Sequence, residues 1–375
     1  MKMNMKYAMM IAATLVMGAG LTACDDDEKG SSNALDDGQV AIVSNYVDAV
    51  VVPTYTSLAA ATEELADLCE ALAENPSDEA VKAAGEKWVA SRKYWELSEA
   101  FLFGAAADYN IDPHIDSWPL NLSELNEVLK AGNIEDRLDA GTAGYGLLGF
   151  HAVEYVLFRD GQSRKAADIS EAELNFAVAV SADMRDQCIR LKGAWAGEDA
   201  LSKAEAEALE EAELDLTNDY GAQIKAAGMA GNTRYRTLAK AFEEILTGAS
   251  DITNEVGNTK ISDPIKSQSV DDVESPHSWN SVVDFADNIR SVRNAYLGSL
   301  DGTVSQRSVS SHIATLNKAL DAKIQSAIAD AIGKIEKMQK PFRNNLKFDA
   351  NNQAAVDACN DLRDLLDEAI ELINE

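Results

Sequence analysis

Residues 145–158 read YGLLGFHAVEYVLF, and within this stretch only His151 and Glu154 carry charge or titrate near neutral pH. A helix that is apolar on all sides is a buried helix. Residues three apart lie on the same helix face, so the imidazole and the carboxyl group should point in one direction. A buried Glu is costly unless it is paired, hydrogen-bonded or bound to a metal. We therefore predict a buried polar site built on these two side chains.

The composition of the rest of the sequence favours α-helices. Alanine is abundant, the 375 residues contain only 7 prolines, and alternating runs typical of strands are absent. We predict an all-α fold of two helical-bundle halves packed together, with residues 39–250 in the first and 251–375 in the second. A duplicated ancestor is conceivable, although no repeated motif supports it. The predicted helices cover residues 39–73 (kinked at Pro53), 77–103, 123–131, 170–195, 202–216, 233–246, 279–300, 308–339 and 353–374, with a polar boundary at 248–277.

The N-terminus has the features of a targeting segment. A lysine-containing start precedes a short apolar stretch at residues 9–21, and residues 21–24, LTAC, resemble a bacterial lipobox. We predict a signal peptide over residues 1–23 and a lipidated tether over residues 24–38, attached to the membrane through Cys24. The mature protein would be an exported lipoprotein of the outer membrane, on its periplasmic or cell-surface side. The alternative is an ordinary secretory peptide with an accidental cysteine.

Charge and cysteine content exclude several classes of protein. Asp and Glu total 63 against 33 Lys and Arg, a net charge of −30. Such a surface repels nucleic acid, so no nucleic-acid partner is expected, whereas it suits cations or simply solubility. Cys69, Cys188 and Cys359 are far apart and odd in number, which favours small buried hydrophobic residues over a disulfide framework. The sequence does not exclude one long-range disulfide between two of these cysteines.

A second set of charged residues also carries signs of burial. The predicted helix 77–103 has a stripe of two Trp, one Phe, Arg92 and Glu99 at helical spacing, which should face the core. Glu99 would then be a metal ligand oriented by Arg92. The alternatives are a structural ion pair, or a surface pair between Arg92 and Glu96 four residues on.

The loop that reads DPHIDSWP at residues 112–119 is fixed by two prolines. We expect Trp118 to anchor the loop in the core. A rigid loop would fix the orientation of the Asp116 carboxylate. His114 is expected to be exposed. The predicted metal ligands are thus His151, Glu154, Glu99 and Asp116, supported by Arg92, Gly149, Ser117 and Tyr145.

The stretch GFHAVE at residues 149–154 resembles the GxHxxE signature of imelysin-like proteins. The resemblance extends to residues 99–104, to the proline-rich loop 112–119 and to NIRSVRNAYLG at residues 288–298. It implies an all-helical fold of two bundle-like halves, with the site near their junction. It also implies a link to iron acquisition, with iron as the metal and an iron-transport component as a partner.

The resemblance also implies metallopeptidase activity, because the family includes proteins described as metallopeptidases. The sequence has neither HExxH nor HxxEH, the motifs by which zinc proteases supply two His from one helix. One nitrogen and several oxygens suit harder cations such as iron or calcium. We therefore rank metal binding above hydrolysis. The alternatives are a metallopeptidase, with Glu154 as its catalytic residue, and a non-catalytic surface module for a peptide or a haem-like ligand.

Overall fold

Helices make up almost all of the regular structure in residues 36–375, the part of the chain that the computed structural model describes. The predicted all-α class is confirmed. The predicted signal peptide, Cys24 and most of the predicted tether lie outside the described residues. No helix within residues 36–375 has the length and apolar character needed to cross a membrane.

The helices follow one another in a simple order, interrupted by one short hairpin. The hairpin pairs β1 (Phe158–Arg159) with β2 (Gln162–Ser163) in antiparallel register, Phe158 opposite Ser163. The helices are α1 Asp37–Tyr46, α2 Val52–Glu74, α3 Asp78–Glu96, α4 Ala105–Asp108, α5 Ile111–Ile115, α6 Leu122–Ala131, α7 Ile134–Asp139, α8 Gly149–Leu157, α9 Glu171–Ala196, α10 Lys203–Glu211, α11 Tyr220–Lys225, α12 Leu238–Glu255, α13 Ser262–Ser267, α14 Ser281–Leu297, α15 Val309–Leu316, α16 Lys318–Ile335 and α17 Ala350–Asn374.

The first half of the described chain is organised around α2, which packs along α3 and α9. The start of α9 follows from its sequence, because Ser170 and Glu173 form the capping box that their spacing predicts. Helix α8, which carries the GxHxxE residues, packs against both α3 and α9. Every residue of α8 except Tyr155 is buried, as its apolar composition predicts.

The second half is organised around α17, which packs against α12 and α16, while α14 packs against α12 and α16. The two halves meet where α14 contacts α3 and where the 3-10 turn Glu99–Phe101 contacts α12 and α14. The division into two domains stays a prediction. The boundary expected after residue 250 falls within α12, which continues to Glu255.

Several predicted helices are shorter in the structure: the one within 145–158 covers only Gly149–Leu157, and the one over 202–216 ends at Glu211. Three further segments differ for physical reasons. The helix predicted to reach residue 103 ends at Glu96, and the 3-10 turn and Gly104, at φ +71°, redirect the chain. The helix predicted over 308–339 is interrupted at Asn317, whose side chain caps α16. The segment 248–277, predicted to be a polar link, is largely helical because buried residues such as Val256 and Ile261 continue the core face.

Residues 36–375 also contain two π-helical turns. One, Val47–Val51, lies immediately before Pro53, where the sequence predicts a kink, and it absorbs the disruption that proline causes in a helix. The other, Val256–Ile261, joins α12 to α13 and carries Lys260 into the interior. π-helical turns of this kind occur frequently at functional sites.

Gly149, the first residue of the GxHxxE stretch, is required by a close backbone approach. Its φ is +71°, and a Cβ atom added there would lie 1.9 Å from the carbonyl oxygen of Ile115. A side chain would therefore push α8 away from α5. Since Ile115 immediately precedes Asp116, the glycine is what allows His151 and Asp116 to share one site.

Replacing Gly149 by Ala should cost about 3 kcal/mol of unfolding free energy or more, through strain and a backbone clash. Gly132 is a matched control, since it also has a positive φ of +62° but no atom within 4 Å of its added Cβ. Gly132→Ala should cost only about 1–2 kcal/mol. Equal losses in denaturant unfolding of the two variants would contradict the role given to the close approach.

Candidate metal centre

The structure brings buried charged residues from several segments of the chain together near His151 of α8. Asp116 from the proline-rich loop, Arg92 from α3, Glu99 from the 3-10 turn and Glu154 from α8 are all buried, none more than 6% exposed. Their proximity was predicted from the sequence. The centre lies where the first half of the chain meets the second.

His151 lies between two carboxylates. Its Nδ1 is 3.4 Å from Oε2 of Glu154 and its Nε2 is 3.2 Å from Oδ1 of Asp116. Burial alone would lower the pKa of His151, but these carboxylates oppose burial and raise it to about 9. Nε2 nevertheless lacks a partner in hydrogen-bond geometry among the described residues. The two carboxylates thus favour the protonated imidazole in the metal-free protein, and Nε2 can bind a metal ion only after it loses its proton.

Asp116 is held by two donors besides its contact with the imidazole. Its Oδ1 accepts a hydrogen bond from Nη1 of Arg92, and its Oδ2 accepts one from Nε1 of Trp95 at 2.7 Å. Burial would raise the pKa of this carboxyl, but Arg92 and His151 hold it well below its usual range. Asp116 is therefore an anion at neutral pH, as a metal ligand must be.

Arg92 organises the carboxylates, as the sequence predicts, but with different partners. Its Nη2 lies 2.7 Å from Oε1 of Glu274 and 2.5 Å from Oε1 of Glu96. The pair with Glu96, which one alternative placed on the surface, is fully buried. Glu99 is not among the partners of Arg92 and lies 3.9 Å from Nζ of Lys260.

Glu154 uses one oxygen to hold a loop of the second half. Its Oε1 accepts hydrogen bonds from the backbone N–H of His277 at 2.9 Å, the backbone N–H of Ser278 at 2.7 Å and the Ser278 hydroxyl at 2.7 Å. Burial would raise the pKa of Glu154, but His151 and Ser278 lower it. Only Oε2 faces the imidazole, and the role of Glu154 as a primary metal ligand stays a prediction.

Two important members of the centre were not found from the sequence. Glu274 lies in the segment predicted to be a polar link, and its Oε2 is buried without a hydrogen-bond partner among the described residues. Lys260 lies in the π-helical turn and is 2% exposed. Neither residue is part of a motif or an apolar stripe, so no local signal marks it. The proximity of His277, which the sequence left open, is observed.

The remaining predicted residues lie around the centre. The Ser117 hydroxyl donates a hydrogen bond to the carbonyl of Pro113 at 2.6 Å, which tightens the loop beside Asp116. Tyr145 is 40% exposed, and its hydroxyl accepts a hydrogen bond from Asn110 rather than from a ligand residue. His114 pairs with Asp183 at 2.8 Å. Cys69, Cys188 and Cys359 are free and buried, as small hydrophobic residues would be.

Acidic groups outnumber cations in this interior. The buried carboxylates are Glu96, Glu99, Asp116, Glu154, Glu274 and Asp284, and the facing cationic groups are Arg92, Lys260 and His151. Burial raises the pKa of Glu96 and of Glu99 well above the usual value, although nearby Arg92 and Lys260 oppose it. A further positive charge near either group would favour its ionised form.

Two overlapping sets of side chains have the spacing of metal ligands. One ligand atom from each of Asp116, His151 and Glu274 lies within 4.8 Å of the others, and the same holds for Glu96, Glu99 and Asp116. The first set combines one imidazole nitrogen with carboxylate oxygens, a mixture suited to iron or manganese. Oε2 of Glu274 is buried without a hydrogen-bond partner among the described residues, and a bound ion would satisfy it.

A cavity of about 260 Å³ leads to the centre from the side of His151. His151 and Glu154 lie on its wall together with His277 and Arg343, and Trp118 contributes an aromatic face. The Trp118 ring centroid is 6.0 Å from that of His151. The cavity is therefore large enough for solvent or a small molecule to reach the imidazole.

Comparison with known proteins gives a consistent result. The family model for imelysin matches residues 51–369. Iron-regulated protein A of Synechococcus elongatus is 26% identical over 331 residues, which cover 88% of this chain and 83% of that protein. A crystal structure described as an iron-regulated protein A precursor from Parabacteroides distasonis superposes with a TM-score of 0.81 at 29% identity, covering 92% and 97% of the two chains. An imelysin-like protein from Psychrobacter arcticum shares the fold, with a TM-score of 0.57 at 13% identity over 88% and 92% of the chains.

Removal of the Arg92 charge should be strongly destabilising, because it leaves Asp116, Glu96 and Glu274 buried without their main counter-ion. Arg92→Met should lower the unfolding free energy by about 3–5 kcal/mol in denaturant titrations at neutral pH. Arg363→Met is the control, since that arginine pairs with Asp364 on the surface and is worth at most about 0.5 kcal/mol. A loss as small as that of the control would contradict the central role of Arg92.

Proposed function

The chain belongs to the imelysin family, and from this premise we propose that it binds a metal ion, iron in the first place, at the His151 centre. The proposed ligands are His151, Asp116 and Glu274, with Glu99 and Glu96 as further oxygens on the other side of Asp116. The link to iron is supported by the name of the relative from Synechococcus elongatus. The preference for iron over softer metals is supported by the single nitrogen among carboxylates.

One observation carries the proposal. Oε2 of Glu274 is buried without a hydrogen-bond partner among the described residues, and the contact of His151 Nε2 with Asp116 at 3.2 Å falls short of hydrogen-bond geometry. An unsatisfied polar atom in the interior costs free energy that a metal ion would recover. Meanwhile Nδ1 faces Glu154, which is the usual arrangement by which a second carboxylate fixes the orientation of a metal-binding imidazole.

The same geometry assigns a different task to Glu154. Because its Oε1 already accepts three hydrogen bonds from His277 and Ser278, Glu154 would orient His151 and hold the loop that supplies Glu274. This argues against Glu154 as the general base of a metallopeptidase, since a base needs a free oxygen next to the attacking water. Binding remains preferred over hydrolysis for this reason.

The location of the protein and its partners stay predictions. A lipid anchor at Cys24 would hold the domain at the outer membrane, on the periplasmic or cell-surface side, where an iron-binding protein could serve a transport component. The cavity of about 260 Å³ beside His151 offers room for a small metal-carrying ligand as well as for the bare ion.

The proposal is tested by metal binding to the purified protein. Calorimetric titration with Fe²⁺ under anaerobic conditions, and with Mn²⁺ as an air-stable probe, should give stoichiometric binding by the parent chain. His151→Ala should reduce the affinity at least about 100-fold, since it removes the only nitrogen of the set. Metal analysis of the proteins as isolated should find more metal in the parent than in His151→Ala.

His114→Ala is the matched control, because His114 pairs with Asp183 near the surface and lies outside both ligand sets. It should bind metal as the parent does. Equal binding by His151→Ala and the parent, or no binding by the parent to either ion, would overturn the proposal. Glu154→Gln should retain weakened binding, whereas a complete loss equal to that of His151→Ala would restore Glu154 as a direct ligand.

A further inference from the structure

Lys260 places a permanent positive charge in the middle of the carboxylates. Its Nζ lies 3.0 Å from Oε1 of Glu274, 3.9 Å from Oε1 of Glu99 and 4.0 Å from Oε2 of Glu96. The residue is only 2% exposed. An ammonium group is strongly hydrated in water, so its burial costs desolvation free energy. The attraction of the three carboxylates offsets this cost. Nζ therefore occupies a position among oxygens that would also suit a metal ion.

This position overlaps with both sets of potential metal ligands. Glu274 belongs to the set with His151, Glu96 and Glu99 belong to the other set, and Lys260 contacts all three carboxylates. Metal ions lie about 2.0–2.6 Å from carboxylate oxygens. An ion bound to these oxygens would thus lie close to Nζ, and two positive charges at such a separation repel each other strongly in a buried site.

The structure also provides a place to which the ammonium group can move. Lys260 lines a cavity of about 200 Å³ together with Asp112 and Glu255. Burial raises the pKa of Glu255, and burial together with Asp116 raises that of Asp112 to about 6, while Lys260 opposes both shifts. Each of these carboxyls would therefore be stabilised by a nearer ammonium group. The four-carbon stem of lysine permits such a movement without displacement of the backbone.

We propose that Lys260 is an internal competitor of the metal ion. In the metal-free protein its ammonium group neutralises Glu96, Glu99 and Glu274, and metal binding displaces it toward Asp112 and Glu255. The inference rests on the proposed metal-binding function and adds a residue that sets its affinity. The Glu274 oxygen without a partner supports it, because Lys260 and Arg92 contact only Oε1 and leave Oε2 for another cation.

Replacement of the lysine tests the competition. Lys260→Met keeps an apolar stem of similar length and should bind Mn²⁺ about tenfold more tightly than the parent or better, since no like charge remains to be displaced. Lys266→Met, one turn beyond the π-helical turn, removes an exposed lysine that contacts Asp263 and should leave the affinity unchanged. Unchanged or weaker binding by a folded Lys260→Met would overturn the inference.

Chemical labelling tests the same inference on the parent chain, so that it does not depend on the folding of a variant. Reductive methylation followed by mass spectrometry should leave Lys260 unmodified without metal and modify it with saturating Mn²⁺, whereas Lys266 should react in both states. Persistent protection of Lys260 in a chain that binds Mn²⁺ would overturn the competition alone. Failure of parent and variant to bind Mn²⁺ and Fe²⁺ would overturn the proposed function, and the competition with it.

Discussion

The contact on which the rest of the centre depends is that of Arg92 with Asp116, Glu96 and Glu274. Arg92 is fully buried, and the guanidinium group holds together carboxylates from three segments of the chain. Burying such a cluster costs more desolvation than an apolar replacement would, so stability alone does not explain it. A cluster that is expensive to fold and poorly balanced in charge is better explained by a cation that the protein handles.

Much of the fold could be predicted because long helices leave periodic signals. The capping box at Ser170 and the proline at residue 53 each act locally, and each appears in the structure as the sequence predicts. Of the apolar residues 145–158, only Gly149–Leu157 form an α-helix. Helix ends were less predictable. The end of α3 at Glu96 depends on a turn that packs against α12 and α14, and those contacts lie far away in the sequence.

Residues of the centre could be predicted where the apolar residues around them in the sequence indicate that a charged side chain is buried. His151 and Glu154 stand out in an apolar helix, and Arg92 stands out in an aromatic stripe. Glu274 and Lys260 have polar or ordinary neighbours, and only the tertiary fold buries them. The hydrogen bonds of Glu154 could not be predicted either, because its three donors come from His277 and Ser278, more than 120 residues later in the chain.

The dependence of the centre on those late residues has a consequence for biosynthesis. A chain synthesised only as far as residue 250 contains the entire GxHxxE stretch but lacks Glu274, Lys260 and the donors that fix Glu154. In that intermediate His151 and Asp116 would have no complete partner set and Arg92 would face too few carboxylates. The grouping of Asp116, His151 and Glu274 is therefore complete only when the last third of the polypeptide has docked.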